Sequence, residues 1–249
     1  MVSTLPLPCQ EIIRAYLRLD FGQGRLVATP YYKNSPHEKR FTDPVDAGKG
    51  GPHEIIADVH ARALMQRVQI DLMNAEDVRN FMISQGVGVD CSGLAAHVLN
   101  AYSLEKSGKP IEYRLRPSAV SFWRKILFQF RPFQNINVLT LTSPENSVPV
   151  ALDEIKPGDL MRTRGGKHVL VVSEAERENG KLISFCYVHS SGQFGEDSGA
   201  REGKVVITDS SKDLGDQEWK EGWHGRIPAR EGWREEREKN GIFRLKAIE

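Results

Sequence analysis

Two spacings of apolar residues take turns along this chain, and each predicts its own kind of element. Near the start Ile12, Ile13, Tyr16, Leu17 and Leu19 give one apolar side to a short helix over residues 9–19. Residues 22–52 are rich in Gly and Pro and predict irregular chain, with Leu26-Val27-Ala28 free to pair as a strand. Helical spacing returns from about His53 to Met73, with Ala57, Ala61, Leu64, Val68 and Leu72 as its stripe. Asn74 then caps a further helix whose first turn carries Glu76 and Asp77. A fourth helix opens at Cys91 and runs through Tyr102, with Cys91 on the stripe of Leu94, Ala95, Val98 and Tyr102. From about Ser118, the residues Phe122, Trp123, Ile126, Leu127 and Phe130 make another apolar stripe, flanked by Arg124 and Lys125.

Strand spacing dominates after residue 150. Pro157-Gly158-Asp159 reads as a turn feeding a strand at Leu160, and Gly165-Gly166 turns the chain into β-formers from His168 to Ser173. Asn179-Gly180 is a strong hairpin signal, returning the chain as Leu182–Val188 and ending at His189. A two-residue turn sets Glu178 opposite Lys181 and, further down, Leu170 opposite His189. His168 and His189 then share one face as diagonal neighbours, about 7–8 Å apart along the backbone. A three-residue loop would send one of them to the other face. Residues 143–150 read as a linker, and the alternation of 241–248 as a final strand completing the sheet.

The chemistry-bearing residues sit at the ends of these elements. Cys91 starts a helix, where unpaired amides and the helix dipole favour an anion, so its thiol is expected to ionise below the usual range. A nucleophilic sulfur, a base at His168 and an orienting group at His189 form the logic of activated-thiol catalysis. The alternative is a buried structural cysteine with two half-buried strand histidines. His60 and His97 lie on helices and read as structural, and Tyr31-Tyr32 as surface packing in preference to a cleft wall. The small residues around Cys91 leave room for another stretch of chain.

Gly88-Val89-Asp90-Cys91-Ser92-Gly93-Leu94, then Leu152–Leu160 with Pro157-Gly158-Asp159, then His168-Val169-Leu170-Val171-Val172, resemble the NlpC/P60 family of papain-like cysteine peptidases. The resemblance spans residues 54–102 and 150–210. It implies an α+β, papain-like fold with helices packed on an antiparallel β-sheet. It assigns Cys91 as nucleophile on a peptide carbonyl, His168 as general base, His189 as orienting group, and Asp90 and Ser92 as holders of a substrate amine. It also implies a peptidoglycan stem peptide as substrate, hydrolysed through a thioester acyl-enzyme; no cofactor is expected, and no Cys/His spacing in the chain suggests a metal site. The family's tyrosine ahead of the cysteine is missing, since 77–82 reads Asp-Val-Arg-Asn-Phe-Met. An oxyanion donor of that kind is worth about 2.7–4 kcal/mol, so a catalytically impaired wall- or partner-binding module stands beside the peptidase, as does an acyltransferase on the same scaffold.

Composition narrows the rest. With 249 residues, 39% of them hydrophobic and 27% charged, the chain can bury a full core, and a net charge of +1 gives no bulk attraction to nucleic acid. The expected organisation is a 1–52 helix and irregular arm, then a 53–249 catalytic domain with a helical insertion at about 103–150 and a C-terminal extension closing on the sheet. Cys9, Cys91 and Cys186 do not make an even disulfide set, and Cys186 reads as core. No apolar run reaches membrane-spanning length and no signal peptide is visible, in tension with the wall role that the resemblance implies. From Lys212 onward nine basic residues balance nine acidic ones, and Trp219, Trp223 and Trp233 predict that this tail docks on the domain.

Overall fold

A computed structural model describes residues 1–32, 44–117 and 131–249; the aromatic stripe expected from Ser118 to Phe130 lies outside them. The described residues form an α+β structure with one large antiparallel sheet. The strands are β1 (Val2–Thr4), β2 (Leu19–Asp20), β3 (Leu26–Val27), β4 (Ser147–Pro149), β5 (Leu160–Thr163), β6 (His168–Glu178), β7 (Lys181–Ser191), β8 (Gly199–Val206), β9 (Glu218–Trp219) and β10 (Gly241–Leu245). The helices are α1 (Leu7–Leu17), α2 (Pro52–Met65), α3 (Ala75–Ser84), α4 (Cys91–Ser107), α5 (Val138–Thr142) and α6 (Pro228–Arg234). The sheet order is β4-β10-β5-β6-β7-β8-β9, and β2 pairs with β3 apart from it. One edge of β6 is shared, with β5 pairing residues 168–171 and β1 pairing 174–176.

The hairpin that carries both histidines follows the predicted register. Asn179 and Gly180 both have positive φ, 51° and 81°, as a two-residue turn of matching twist demands, and Glu178 faces Lys181. Two bulges interrupt the ladder, between Val172 and Glu174 and between Glu176 and Arg177. The first displaces the pairing by one residue and the second restores it, so Val171 still faces Val188. The histidine end therefore keeps the register that the turn dictates.

Each face of the sheet buries its own cluster. On one, Leu160, Val169, Val171 and Val188 pack with α1 and α4, and Cys9, Tyr16, Leu94, Val98 and Leu99 are fully covered. On the other, Leu170, Val172, Phe185, Tyr187 and Trp219 meet Trp233 of α6. The charge-balanced tail thus docks as expected, with Trp219 and Trp233 buried and β10 inserted between β4 and β5. Among the described residues no helix is long and apolar enough to cross a membrane.

Several expectations change. The second helix ends at Met65, because Arg67 takes φ 57° and Val68 N–H bonds back to Ala63 O at 2.8 Å, a left-handed stop made without glycine. Its buried face is Ile55, Val59 and Ala63, leaving Leu64 and Leu72 exposed. Residues 147–149 are no linker: they form β4, paired to β10. Cys186 is half-buried, on the face opposite Phe185 and Tyr187.

Candidate active site

The nucleophile position starts with its cap. Asp90 is the N-cap of α4 and accepts from Gly93 N–H at 2.5 Å, so Cys91 is the first helical residue. The preceding loop is tied on both sides: Val89 N–H donates to Pro30 O at 3.0 Å, and Ser190 Oγ donates to Val89 O at 2.6 Å. The small residues are required here. A Cβ on Gly88 would lie 2.4 Å from Pro30 O, and one on Gly93 would lie 2.3 Å from Gly48 O. Neighbouring backbone thus closes on the helix start from two directions. Cys91 is buried, and its sulfur is approached by the backbone amides of Val169 and Ser92. Val169 directly follows His168, which places the thiol at the beginning of β6.

The histidines meet as the register predicts. His168 Nε2 lies 2.7 Å from His189 Nδ1, with the rings edge to face at 5.0 Å between centroids. The pair does not end there. His189 Nε2 lies 2.8 Å from Glu221 Oε1, and Tyr187 Oη donates to Glu221 Oε2 at 2.6 Å. Arg201 Nε sits 2.8 Å from Glu221 Oε1, off the N–H direction, so it acts as a neighbouring charge and not as an in-line donor. His168, His189 and Glu221 are all buried.

These contacts fix where each proton sits. Burial alone would raise the Glu221 carboxyl, but His189, Tyr187 and Arg201 outweigh it and hold the group below its ordinary range. An ionised Glu221 only accepts, so His189 Nε2 carries hydrogen, and in the neutral ring its Nδ1 is then the lone pair. That lone pair requires hydrogen on His168 Nε2. His168 Nδ1 is left as the basic nitrogen of the relay. Burial, then His189 and Arg164, depress His168 well below the usual imidazole range, so it rests neutral.

The sulfur overturns one expectation. Burial, reinforced by Asp90, pushes the Cys91 thiol up to about 11, and Lys49 with the Val169 and Ser92 amides pulls it only part of the way back. The helix start does not outweigh desolvation here. Thiol and imidazole both rest uncharged. Asp90 and Ser92 are also differently engaged from the substrate-amine role. Lys49 Nζ lies 2.7 and 2.8 Å from the two Asp90 oxygens and also donates to Ser92 Oγ, so an ammonium of the chain itself holds that place.

Tyr31 is not surface packing. Its ring leaves no room for a side chain at Gly192, where a Cβ would lie 2.8 Å from it. Burial, then Cys91 and Asp90, hold its phenol well above the usual range, so it stays a proton donor. It also lines a groove of about 610 Å³ with Pro30, Asn80, Ile83 and Glu196. His97 is structural as expected, with Nε2 2.8 Å from Lys49 O and its ring against Phe133.

The residues missed by sequence reading are Glu221, Arg201, Tyr187 and Lys49, whereas Tyr31 is named there with the cleft-wall role ranked second. Glu221 had one signal, its place between Trp219 and Trp223 in a tail that otherwise reads as solvated charge. Lys49 had another, a lone cation before Gly50-Gly51. Among the described residues no group of His, Cys, Asp and Glu side chains is arranged to hold a metal ion. The arrangement lines an imidazole pair up on a buried carboxylate, with the thiol against the amide of the residue that follows His168. No family model, curated protein or solved structure matches the chain.

Proposed function

We propose that this protein is a cysteine-dependent amide hydrolase of papain-like, NlpC/P60 type, acting on a peptide through a thioester acyl-enzyme. The observation that carries the reading is the buried line from His168 through His189 to Glu221, beginning one residue from the amide that approaches Cys91. A histidine pair serving only to fill a core does not need a carboxylate fixing its tautomers. With His189 neutral these contacts leave His168 Nδ1 as the one basic nitrogen, at the start of β6 where the Val169 amide approaches Cys91.

His168 Nδ1 takes the Cys91 proton as the sulfur attacks the carbonyl carbon. Because both groups rest neutral, the proton transfer belongs to the attack itself. The imidazolium that forms donates through Nε2 to His189, whose Nε2–H remains on Glu221, so the positive charge meets a buried counter-charge. The tetrahedral oxyanion lies within range of the Cys91 N–H at the start of α4, and Tyr31 is the candidate side-chain donor in place of the tyrosine absent from 77–82. His168 then protonates the leaving amine. Water, deprotonated by the same nitrogen, releases the acyl group and restores the thiol. A cell-wall stem peptide is the proposed substrate, on the strength of the motif resemblance.

The raised thiol favours a second reading, in which the site is catalytically idle and the protein binds a peptide without cleaving it. One experiment separates them. Purified protein and Cys91→Ala are incubated with peptidoglycan fragments, and new amine and carboxyl termini are identified by mass. New termini with the native chain alone establish the hydrolase. Binding of fragments without cleavage establishes the module.

A further inference from the structure

Asp90 is asked for two opposed things. As N-cap it must present a carboxylate to Gly93 N–H, yet that negative charge sits beside a sulfur that must itself become negative. The chain answers with one cation. Lys49 is almost fully buried, its side chain 5% exposed, and its ammonium lies 2.7 Å from Asp90 Oδ1 and 2.8 Å from Oδ2 while donating to Ser92 Oγ. Its backbone is clamped as well: Lys49 N–H donates to Pro44 O at 2.8 Å, Lys49 O meets His97 Nε2 at 2.8 Å, and Asp90 N–H donates to Gly48 O at 3.0 Å. A lysine side chain has more rotamer freedom to lose than most, so this degree of fixation marks a built contact. Nothing in the fold of α4 demands a cation there, since an asparagine would cap as well as the Asp90–Lys49 pair.

We propose that Lys49 is a positioning residue for the nucleophile: its ammonium cancels the Asp90 charge so that the Cys91 sulfur can become anionic during attack. The inference rests on the reading of Cys91 as nucleophile. Lys49 does not touch the substrate. The other titratable groups facing this corner are Tyr16 from α1, Tyr31 from the loop before α2, Glu54 from α2, His97 from α4, His168 with its partner His189 from the sheet, and Arg164 from the β5–β6 turn. Of the charged groups among them, Glu54 faces Tyr16 and His97 and Arg164 faces Tyr31 and His168, whereas Asp90 and Lys49 are the two that act on the Cys91 sulfur itself.

The test reads thiol ionisation and not hydrolysis. Iodoacetamide labelling of Cys91 is followed against pH by peptide mass mapping, which separates it from Cys9 and Cys186. Lys49→Met is expected to lower the labelling rate at pH 8.5 about tenfold by leaving a carboxylate uncompensated, and Lys49→Arg is expected to keep it within about threefold. In Lys49→Met with Asp90→Asn both charges are gone, and the native rate returns. Asp90→Asn alone, which keeps the cap, raises the rate about tenfold and gives the answer even where Lys49→Met does not fold. An unchanged rate in Asp90→Asn, or a double variant as slow as Lys49→Met, overturns the proposal. Labelling that follows this pattern while native protein cleaves no peptide overturns the hydrolase reading alone.

Discussion

The two halves of the site are built in different ways. The half that holds the proposed nucleophile is local: Asp90, Cys91, Ser92 and Gly93 are consecutive, and one helix start with one lysine completes it. The base half is assembled from far apart, with His168 opening β6, His189 near the end of β7 and Glu221 from the tail just past β9. Their chemistry differs accordingly. In the base half His168 Nε2, both nitrogens of His189 and both oxygens of Glu221 have partners, and in the neutral rings those partners dictate one tautomer. In the nucleophile half the sulfur has only backbone amides, and its ionisation depends on a balance between neighbouring charges. A relay can thus be rigid while the group it serves remains adjustable.

The sharpest break in this comparison comes from removing the sulfur. Cys91→Ala is expected to lower peptide hydrolysis by at least ~10⁴-fold with the fold retained, measured as product formed per enzyme beside a thermal melt. His168→Ala should come close to that loss. Glu221→Gln tests the rigid half from its far end. Losing the fixed acceptor frees His189 to adopt the other tautomer, and we expect kcat to fall about 10²–10³-fold with little change in KM. An effect under threefold would mean that Glu221 only fills space.

Acid stability separates the halves next. His168 has its folded pKa depressed well below 6.5, so the stability it contributes is fully present above the unfolded value and is lost as pH falls below about 6.5. Glu221, also depressed, adds a second loss as pH falls below about 4.5. Urea melts between pH 7.5 and 5 should show falling stability, and His168→Gln should flatten that slope. Cys91 acts in the opposite direction, because its raised pKa is a stability lost only at alkaline pH, as the solution passes the unfolded value and approaches about 11. The smallest expected effect is a control away from both halves. Asn74 accepts Asp77 N–H at 2.9 Å as the cap of α3, and Asn74→Ala should cost about 1 kcal/mol with hydrolysis unchanged.

What could be read from the chain divides along the same line. The nucleophile's helix, its cap and its covered face follow from spacing within a dozen residues, and the hairpin register follows from Asn179-Gly180. Both are short-range. Even there the register survives two bulges that no pattern announces, because their displacements oppose each other. Glu221 could not be found this way, since its burial depends on Trp219 and Trp233 closing the far face of the sheet. The thiol's ionisation was misjudged for a related reason: the helix start is visible in sequence, whereas the depth of burial around it is a property of the whole fold. The helix expected to reach Met73 fails at Arg67, where packing of Ile55, Val59 and Ala63 sets the face and a non-glycine residue takes the left-handed stop.

The cancelling bulges have a practical consequence for engineering. Parity, not length, is what the histidine end inherits from the hairpin: removing either irregularity alone would shift every residue below it by one position and turn one imidazole toward the opposite cluster. Removing both, or lengthening the exposed tip symmetrically about Asn179-Gly180, leaves the count even. The tip is therefore the place to graft an epitope or a fluorophore, and the stretch from Val172 to Arg177 is the place where a single-codon deletion would do most harm.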